Sequence, residues 1–311
     1  MAKVAIVIVC MNNLKNLIPC LDSIKKYTKV ECEVWVTAYL FSKENLSLVK
    51  EKYPEVHWVE SNEIRGFAEN NNLALRQVKT EYTLILNDDT EFKEPVLDEL
   101  LASMAKTPDA AIMSPKLVNR DGSFQSCGRA PMDWIDFLKE DTFGYNNNKR
   151  KSKYINQQGI FQSYNISGAC FLTKTAFFRN MEFFNEYYFF TPEDIAFSTK
   201  VNEKGYKCYV DADVKLYHYG GGSGTRKSMV KTATLPAARK GCVEFHGRKS
   251  KLVKAFLKIW ITFFSLTKIC LFVLKGNKVG RLAQWHCIQT MFIDRTPKEI
   301  FTKYYLQIKK S

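Results

Sequence analysis

The chain has 311 residues, 46% hydrophobic and 25% charged, which excludes a disordered or low-complexity protein and suits one large domain, alone or with an appendage. Its formal net charge of +14 is concentrated: Arg239 to Arg281 holds eleven Lys/Arg and one acid, Glu244, and so carries +10 of it. A nucleic-acid binder spreads its basic residues over a recognition surface and shows a recognition motif; neither is visible, so nucleic acid is excluded as a partner.

The apolar run after Met1-Ala2-Lys3 is short and lacks a small-residue cleavage site, so residues 3–10 are expected to form a buried strand and not a signal peptide. Leu14 to Tyr27 is predicted to be a helix with Leu17, Leu21 and Ile24 on one side. Glu33 to Thr37 reads as a second strand, and Ser42 to Lys52 as a helix capped by Ser42. Val56 to Val59, Tyr82 to Leu86 and Ala110 to Met113 read as further strands, with helices over Ala68–Val78 and Val96–Ala105 between them. Such alternation predicts a mostly parallel sheet with helices on both faces.

From Asp121 to Ser163 the alternation lapses into a long polar and aromatic excursion around Asn146-Asn147-Asn148-Lys149-Arg150-Lys151. Asn165 to Leu172 then reads as one strand, Glu193 to Gly205 as a helix, and Tyr206–Asp211 and Val214–His218 as two strands before Gly220-Gly221-Gly222. Between Lys251 and Lys275, residues Lys251, Lys254, Lys258, Thr262, Ser265, Lys268 and Lys275 form a narrow polar stripe on an otherwise apolar helix. This pattern predicts a helix lying in a membrane interface, with the lysines reaching anionic headgroups. The alternative is a helix packed on its own protein or at a homodimer interface. Nine scattered cysteines without a Cys-x-x-Cys pair argue for a reducing compartment.

Candidate chemistry sits at element ends. The strand Leu84-Ile85-Leu86 stops on Asn87-Asp88-Asp89-Thr90, which places carboxylates at the sheet edge where open α/β sheets bind ligands. Carboxylates there suit a hard divalent cation, although Asn and Asp are also ordinary turn residues. Gly66-Phe67-Ala68-Glu69-Asn70-Asn71-Asn72 sits at a loop-to-helix junction, suited to a phosphate or simply to helix capping. Glu193-Asp194 follows the aromatic run Tyr187-Tyr188-Phe189-Phe190 at a helix start. Such a pair serves either as a general base or as a complement to the helix dipole. His218 at a strand end is a candidate ligand or a structural histidine.

The order of these motifs, with Ser167-Gly168-Ala169 among them, resembles the family 2 glycosyltransferases of the GT-A fold, most closely the bacterial rhamnosyltransferase-like branch. The resemblance covers about residues 3–225 and includes Pro115-Lys116-Leu117, Asp121-Gly122, Gln125 and Gly128. It implies an α/β GT-A domain over residues 1–235, with a nucleotide-sugar half (1–115) and an acceptor half (116–235). A basic amphipathic helical region over 236–311 would follow. It implies that Asp89 and His218 hold Mg2+ or Mn2+, and that Asp194 is the base. Gly66, Phe67, Asn72, Asp88, Gly168, Ala169 and Glu193 would line the donor site. The implied reaction is inverting transfer from a nucleotide sugar, dTDP- or UDP-linked, to a glycan or polyprenyl-linked glycan at the cytoplasmic face of the cell membrane. The alternative is a nucleotide-sugar-binding protein of the same fold without turnover. Four positions depart from the family pattern: the second strand ends Ala38-Tyr39 without an acid, Ile64 stands for an Asn, Ala196 for an acid and Lys200 for an Arg.

Overall fold

The computed structural model describes residues 2–125, 128–143, 154, 156–220 and 229–310. The chain divides into two compact units. The first comprises residues 1–131, 149–185 and 194–222, and the second 132–148, 186–193 and 223–311.

The first unit is built on a sheet of nine strands. β1 (Val4–Cys10), β2 (Cys32–Tyr39), β3 (His57–Ser61) and β4 (Tyr82–Asn87) run parallel in the order β3-β2-β1-β4. α1 (Leu14–Tyr27), α2 (Lys43–Lys52) and α3 (Phe67–Leu75) connect them. β5 (Thr90–Glu91) follows β4, and α4 (Val96–Lys106) leads into β6 (Ala110–Val118). β10 (Cys170–Lys174) lies antiparallel between β4 and β6, and β11 (Lys207–His218) runs parallel to β6. β8 (Ile160–Ser163) and β5 pair antiparallel to β11. β7 (Gly128–Arg129) and β9 (Asn165–Ile166) form a separate two-stranded ribbon.

The period-two side-chain alternation of β1 supplies both cores. Val4, Ile6 and Ile8 pack with Leu17, Leu21 and Ile24 of α1 and Leu97 and Leu100 of α4. Ala5 and Val7 join Ala74 and Leu75 of α3. On that second face α6 (Thr175–Asn180) and α7 (Glu193–Glu203) add Phe178, Phe197 and Val201 around Phe171. A strand buried on both faces is what an uninterrupted apolar run such as Val4 to Val9 encodes. Ser42 caps α2 as expected, its hydroxyl accepting from the Asn45 N–H at 3.2 Å.

Two expectations are corrected here. The single strand expected over Asn165–Leu172 is two, β9 and β10, in different sheets, because Ser167-Gly168-Ala169 interrupts the pairing. The two strands expected over 206–218 are one, since β11 continues through a register shift between Asp211 and Lys215. The Asn146–Lys151 run and Gly221-Gly222 lie outside the described residues.

The second unit is helical. It contains α5 (Trp134–Phe143), α8 (Lys231–His246), α9 (Lys251–Leu274), α10 (Lys278–Met291) and α11 (Pro297–Lys310). Its core is Phe137, Val243, Leu257, Ile261 and Met291. Arg239 of α8 is buried and bonded on every side. Its Nε and Nη2 donate to the two carboxylate oxygens of Asp141, each at 2.9 Å. Its Nη1 donates to Ser265 Oγ at 3.0 Å and to Gln284 Oε1 at 2.6 Å, tying α9 and α10 to α8.

Candidate active site

The carboxyl ends of β4 and β11 meet at the candidate centre. Asp89 follows β4, His218 ends β11, and Asp89 Oδ1 lies 3.2 Å from His218 Nε2, with both side chains largely buried. The Tyr219 N–H donates to the Asp89 carbonyl at 2.9 Å, which fixes the two chain segments side by side. Gln125 reaches the same ring from the other edge: its Oε1 is 2.7 Å from His218 Nδ1. Its amide nitrogen donates to the His218 carbonyl and to Asn119 Oδ1, both at 2.6 Å. With the amide nitrogen spent twice as a donor, the amide oxygen must accept, so Nδ1 carries the hydrogen. In the neutral ring Nε2 is then a lone pair aimed at a carboxylate oxygen. Two acceptors at 3.2 Å repel unless a cation joins them, by protonation of the ring or by a metal ion.

This donor set fits a divalent cation. One carboxylate and one imidazole whose far nitrogen is held by an amide oxygen is the usual outer arrangement around a metal ligand. No group of three His, Cys, Asp or Glu side chains able to hold a metal occurs among the described residues. Two protein ligands are the pattern for an ion that keeps waters and takes its other ligands from substrate phosphates.

Asp88 diverges from its neighbour. It turns to the thiol of Cys10 at the end of β1. Burial pushes its carboxyl up to about 6; the Cys10 hydrogen bond pulls the other way, and the Asp89 charge adds to the rise. Burial likewise pushes the Cys10 thiol up.

A second cluster adjoins the first. The Asn87 N–H donates to the Ala169 carbonyl at 2.9 Å, so Gly168 and Ala169 lie against the end of β4. The Gly168 N–H donates to Asp194 Oδ2 at 3.2 Å, and the Ile195 N–H to Asp194 Oδ1 at 2.7 Å. Both carboxylate oxygens are thereby held by backbone at the start of α7. A methyl group on Gly168 would stand 3.3 Å from the Asp194 Cβ and 3.7 Å from the Phe67 ring, so Gly168, Phe67 and Asp194 form one tight cluster.

Gly66 precedes α3 as its cap, in extended conformation. Asn72 lies on α3 and bonds the backbone of Phe184. It is buried; its amide nitrogen donates to the Phe184 carbonyl at 2.9 Å, and its oxygen accepts from the Phe184 N–H at 3.2 Å. Asn70 is also spent internally, accepting from Ser61 Oγ at 2.7 Å and donating to the Arg65 carbonyl at 3.2 Å. These asparagines fasten α3 to its surroundings. Glu193, the first residue of α7, is buried and is grouped with the second unit.

Gln125 is the functional candidate that sequence reasoning placed in a motif without giving it a role. It lies 93 residues from His218, and no local spacing signals such a pair.

The doubly covered mixed sheet, with the helical region that follows it, has the GT-A fold of nucleotide-sugar transferases. The sequence matches the model of "Glycosyl transferase family 2" over residues 5–181. The chain therefore belongs to that family of glycosyltransferases. The fold matches GalNAc-T7, solved with UDP, GalNAc and Mn2+, at a TM-score of 0.55 and 16% identity. That match covers 70% of this chain and 43% of the other, so the chain spans less than half of that protein's length. The fold also matches the mannosyltransferase PcManGT from Pyrobaculum calidifontis, solved with GDP-Man and Mn2+, at a TM-score of 0.55 and 16% identity. Here the match covers 100% of this chain, its helical C-terminal region included, and 81% of the other. No curated protein matches the sequence.

Proposed function

We propose that the protein is an inverting, metal-dependent glycosyltransferase that uses a nucleotide-diphosphate sugar. The observation that carries this reading is the Asp89–His218 pair at 3.2 Å, with Gln125 fixing the ring, beside the cluster of Gly168, Phe67 and Asp194. Two relatives of the same fold were solved with Mn2+ and with UDP or GDP-Man. Asp89 and His218 would hold Mg2+ or Mn2+. When bound, such an ion offsets the charge that develops on a leaving diphosphate.

The protein's own residues supply the rest. Gly168 leaves room for the sugar to approach backbone. Asp194, held through both oxygens, takes the proton of the acceptor hydroxyl as that oxygen attacks the anomeric carbon. The bond from the anomeric carbon to the diphosphate oxygen breaks, and the diphosphate leaves with its electron pair. One displacement inverts the anomeric centre. The acceptor we propose is a glycan or polyprenyl-linked glycan at the cytoplasmic membrane face. Asp88, which faces Cys10, is the less critical of the aspartate pair.

The test is a panel of UDP-, dTDP- and GDP-sugars, dTDP-rhamnose among them, with Mn2+ and released nucleoside diphosphate as the readout. The proposal expects one productive donor, with turnover lost in Asp89→Ala and Asp194→Ala. Variants that match wild type in every productive reaction contradict it. Donor binding without turnover in wild type would favour a nucleotide-sugar-binding role.

A further inference from the structure

The second unit carries a surface that the transfer reaction does not use. α9 is amphipathic, but it faces the opposite way to the arrangement its sequence suggests. The middle of its polar stripe turns inward, while Lys251 and Lys275 at its two ends are exposed. Ser265 is buried against Arg239, Lys268 Nζ donates to the Asp141 carbonyl at 2.6 Å, and Lys254 pairs with Glu244 at 2.5 Å. Lys254 and Lys268, two of the lysines expected to reach headgroups, are therefore engaged with protein acceptors. The outward stripe is apolar: Leu252, Phe256, Ile259, Phe263, Leu266 and Val273 are 43–83% exposed. Their steps of four, three, four, three and seven residues align them along the helix. α9 is the one helix among the described residues long and apolar enough to cross a membrane, by length and composition.

Exposed cations frame this stripe and do not interrupt it. Arg248, Lys249 and Lys251 lie at its start, and Lys275, Lys278 and Arg281 beyond its end. The helix itself contains no acid. That distribution selects among occupants. A second copy docking along the stripe would bring cationic end against cationic end in either direction, and like charges brought together cost stability. A bilayer with anionic headgroups meets both halves at once, acyl chains against the stripe and phosphates against the ends. A spanning orientation is disfavoured, because the helices bonded to α9 would carry Arg239, Asp141 and Gln284 into hydrocarbon.

We infer that α9 is a monotopic membrane-docking surface: its outward apolar stripe enters the acyl region of an anionic bilayer while both cationic ends rest on headgroup phosphates. The helix spans about 36 Å along its axis at about 1.5 Å per residue, so the two clamps lie far apart on the membrane plane. This inference is independent of the proposed reaction and is read without turnover.

The test is vesicle co-flotation of the full chain. Wild type should float with phosphatidylcholine/phosphatidylglycerol vesicles at least tenfold more than with phosphatidylcholine alone. Phe256→Ser/Ile259→Ser/Phe263→Ser should lose at least tenfold of the bound fraction. Lys249→Glu/Lys251→Glu/Lys275→Glu/Lys278→Glu should abolish the preference for the anionic lipid. Should the triple variant not fold, a nitroxide on Cys270, an exposed cysteine of α9, keeps the question open to measurement. On vesicle addition it should gain collisions with oxygen and lose collisions with a water-soluble relaxant. Failure of wild type to float, unchanged flotation of the folded triple variant, or an unmoved Cys270 nitroxide each overturns the inference. So does a dimer in sedimentation that the triple variant dissociates, because the stripe would then belong to a second copy.

Discussion

Gln125 Oε1 stands 2.7 Å from Nδ1 of His218 and decides which nitrogen of that ring faces Asp89. The amide is fixed in this sense because its nitrogen donates to the His218 carbonyl and to Asn119. Replacing it with Gln125→Leu removes the acceptor and frees the ring to change tautomer. Losing such an outer partner typically costs about 10- to 100-fold in metal affinity. Mn2+ titration followed by electron paramagnetic resonance should show that loss, and Gln125→Glu, which restores an acceptor, should recover part of it. Unchanged Mn2+ affinity in Gln125→Leu would remove Gln125 from the site.

Asn72 is predicted to matter for stability and not for donor affinity. Asn72→Ala leaves the buried N–H and carbonyl of Phe184 without these partners, at a cost of about 3 kcal/mol for the two groups. Denaturant unfolding should report that drop, and the folded fraction should keep the wild-type KM for the donor. A raised KM at unchanged stability would return Asn72 to the donor site.

Gly168→Ala tests the tightness of the second cluster. The added methyl would meet the Phe67 ring at an ordinary 3.7 Å but the Asp194 Cβ at 3.3 Å, so Asp194 must give by a few tenths of an ångström. A small displacement of a catalytic group lowers rate far more than stability, by on the order of tenfold or more. The expectation is a reduced kcat at nearly unchanged Tm.

Much of the first unit was legible because its signals are local. The apolar run of β1 and the spacing of Leu17, Leu21 and Ile24 encode burial directly, and all of these positions save the partly exposed Val9 are buried. The Gly168 turn misled because Ile166 on one side and Cys170-Phe171-Leu172 on the other read as one strand with a small-residue start, and only the pairing partners divide it. The inward turn of Lys254 and Lys268 was illegible for the same reason. Periodicity finds a polar stripe, but Arg239, Asp141 and Glu244, which draw it inward, lie on other elements. The Asn70-Asn71-Asn72 run left a ligand and a capping reading open in the sequence; its first and last members bond the backbone of Arg65 and of Phe184, 112 residues away.

His246 gives the second unit a pH signature. It is buried and stacked on Phe137 at 4.8 Å and 8°. Burial, with the Arg248 charge adding to it, lowers its pKa from 6.5 to about 4. The unfolded chain therefore binds more protons than the native one between those values, so stability rises with pH across that window and is lost as pH falls from 6.5 towards 4. The full effect is about 3 kcal/mol. Denaturation of the intact chain at pH 7 and pH 4.5 should show a larger loss in wild type than in His246→Phe, which keeps the stacked ring. Equal losses would contradict a neutral buried imidazole.

In the proposed division of labour, Asp89 and His218 would bind the ion and the donor, and Asp194 would perform the chemistry. The most direct measurement is the turnover of Asp194→Asn on the productive donor, beside its Mn2+-dependent affinity for the nucleoside diphosphate. The account predicts kcat lower by about 10²- to 10⁴-fold, with that affinity and Tm unchanged. Turnover equal to wild type would contradict it.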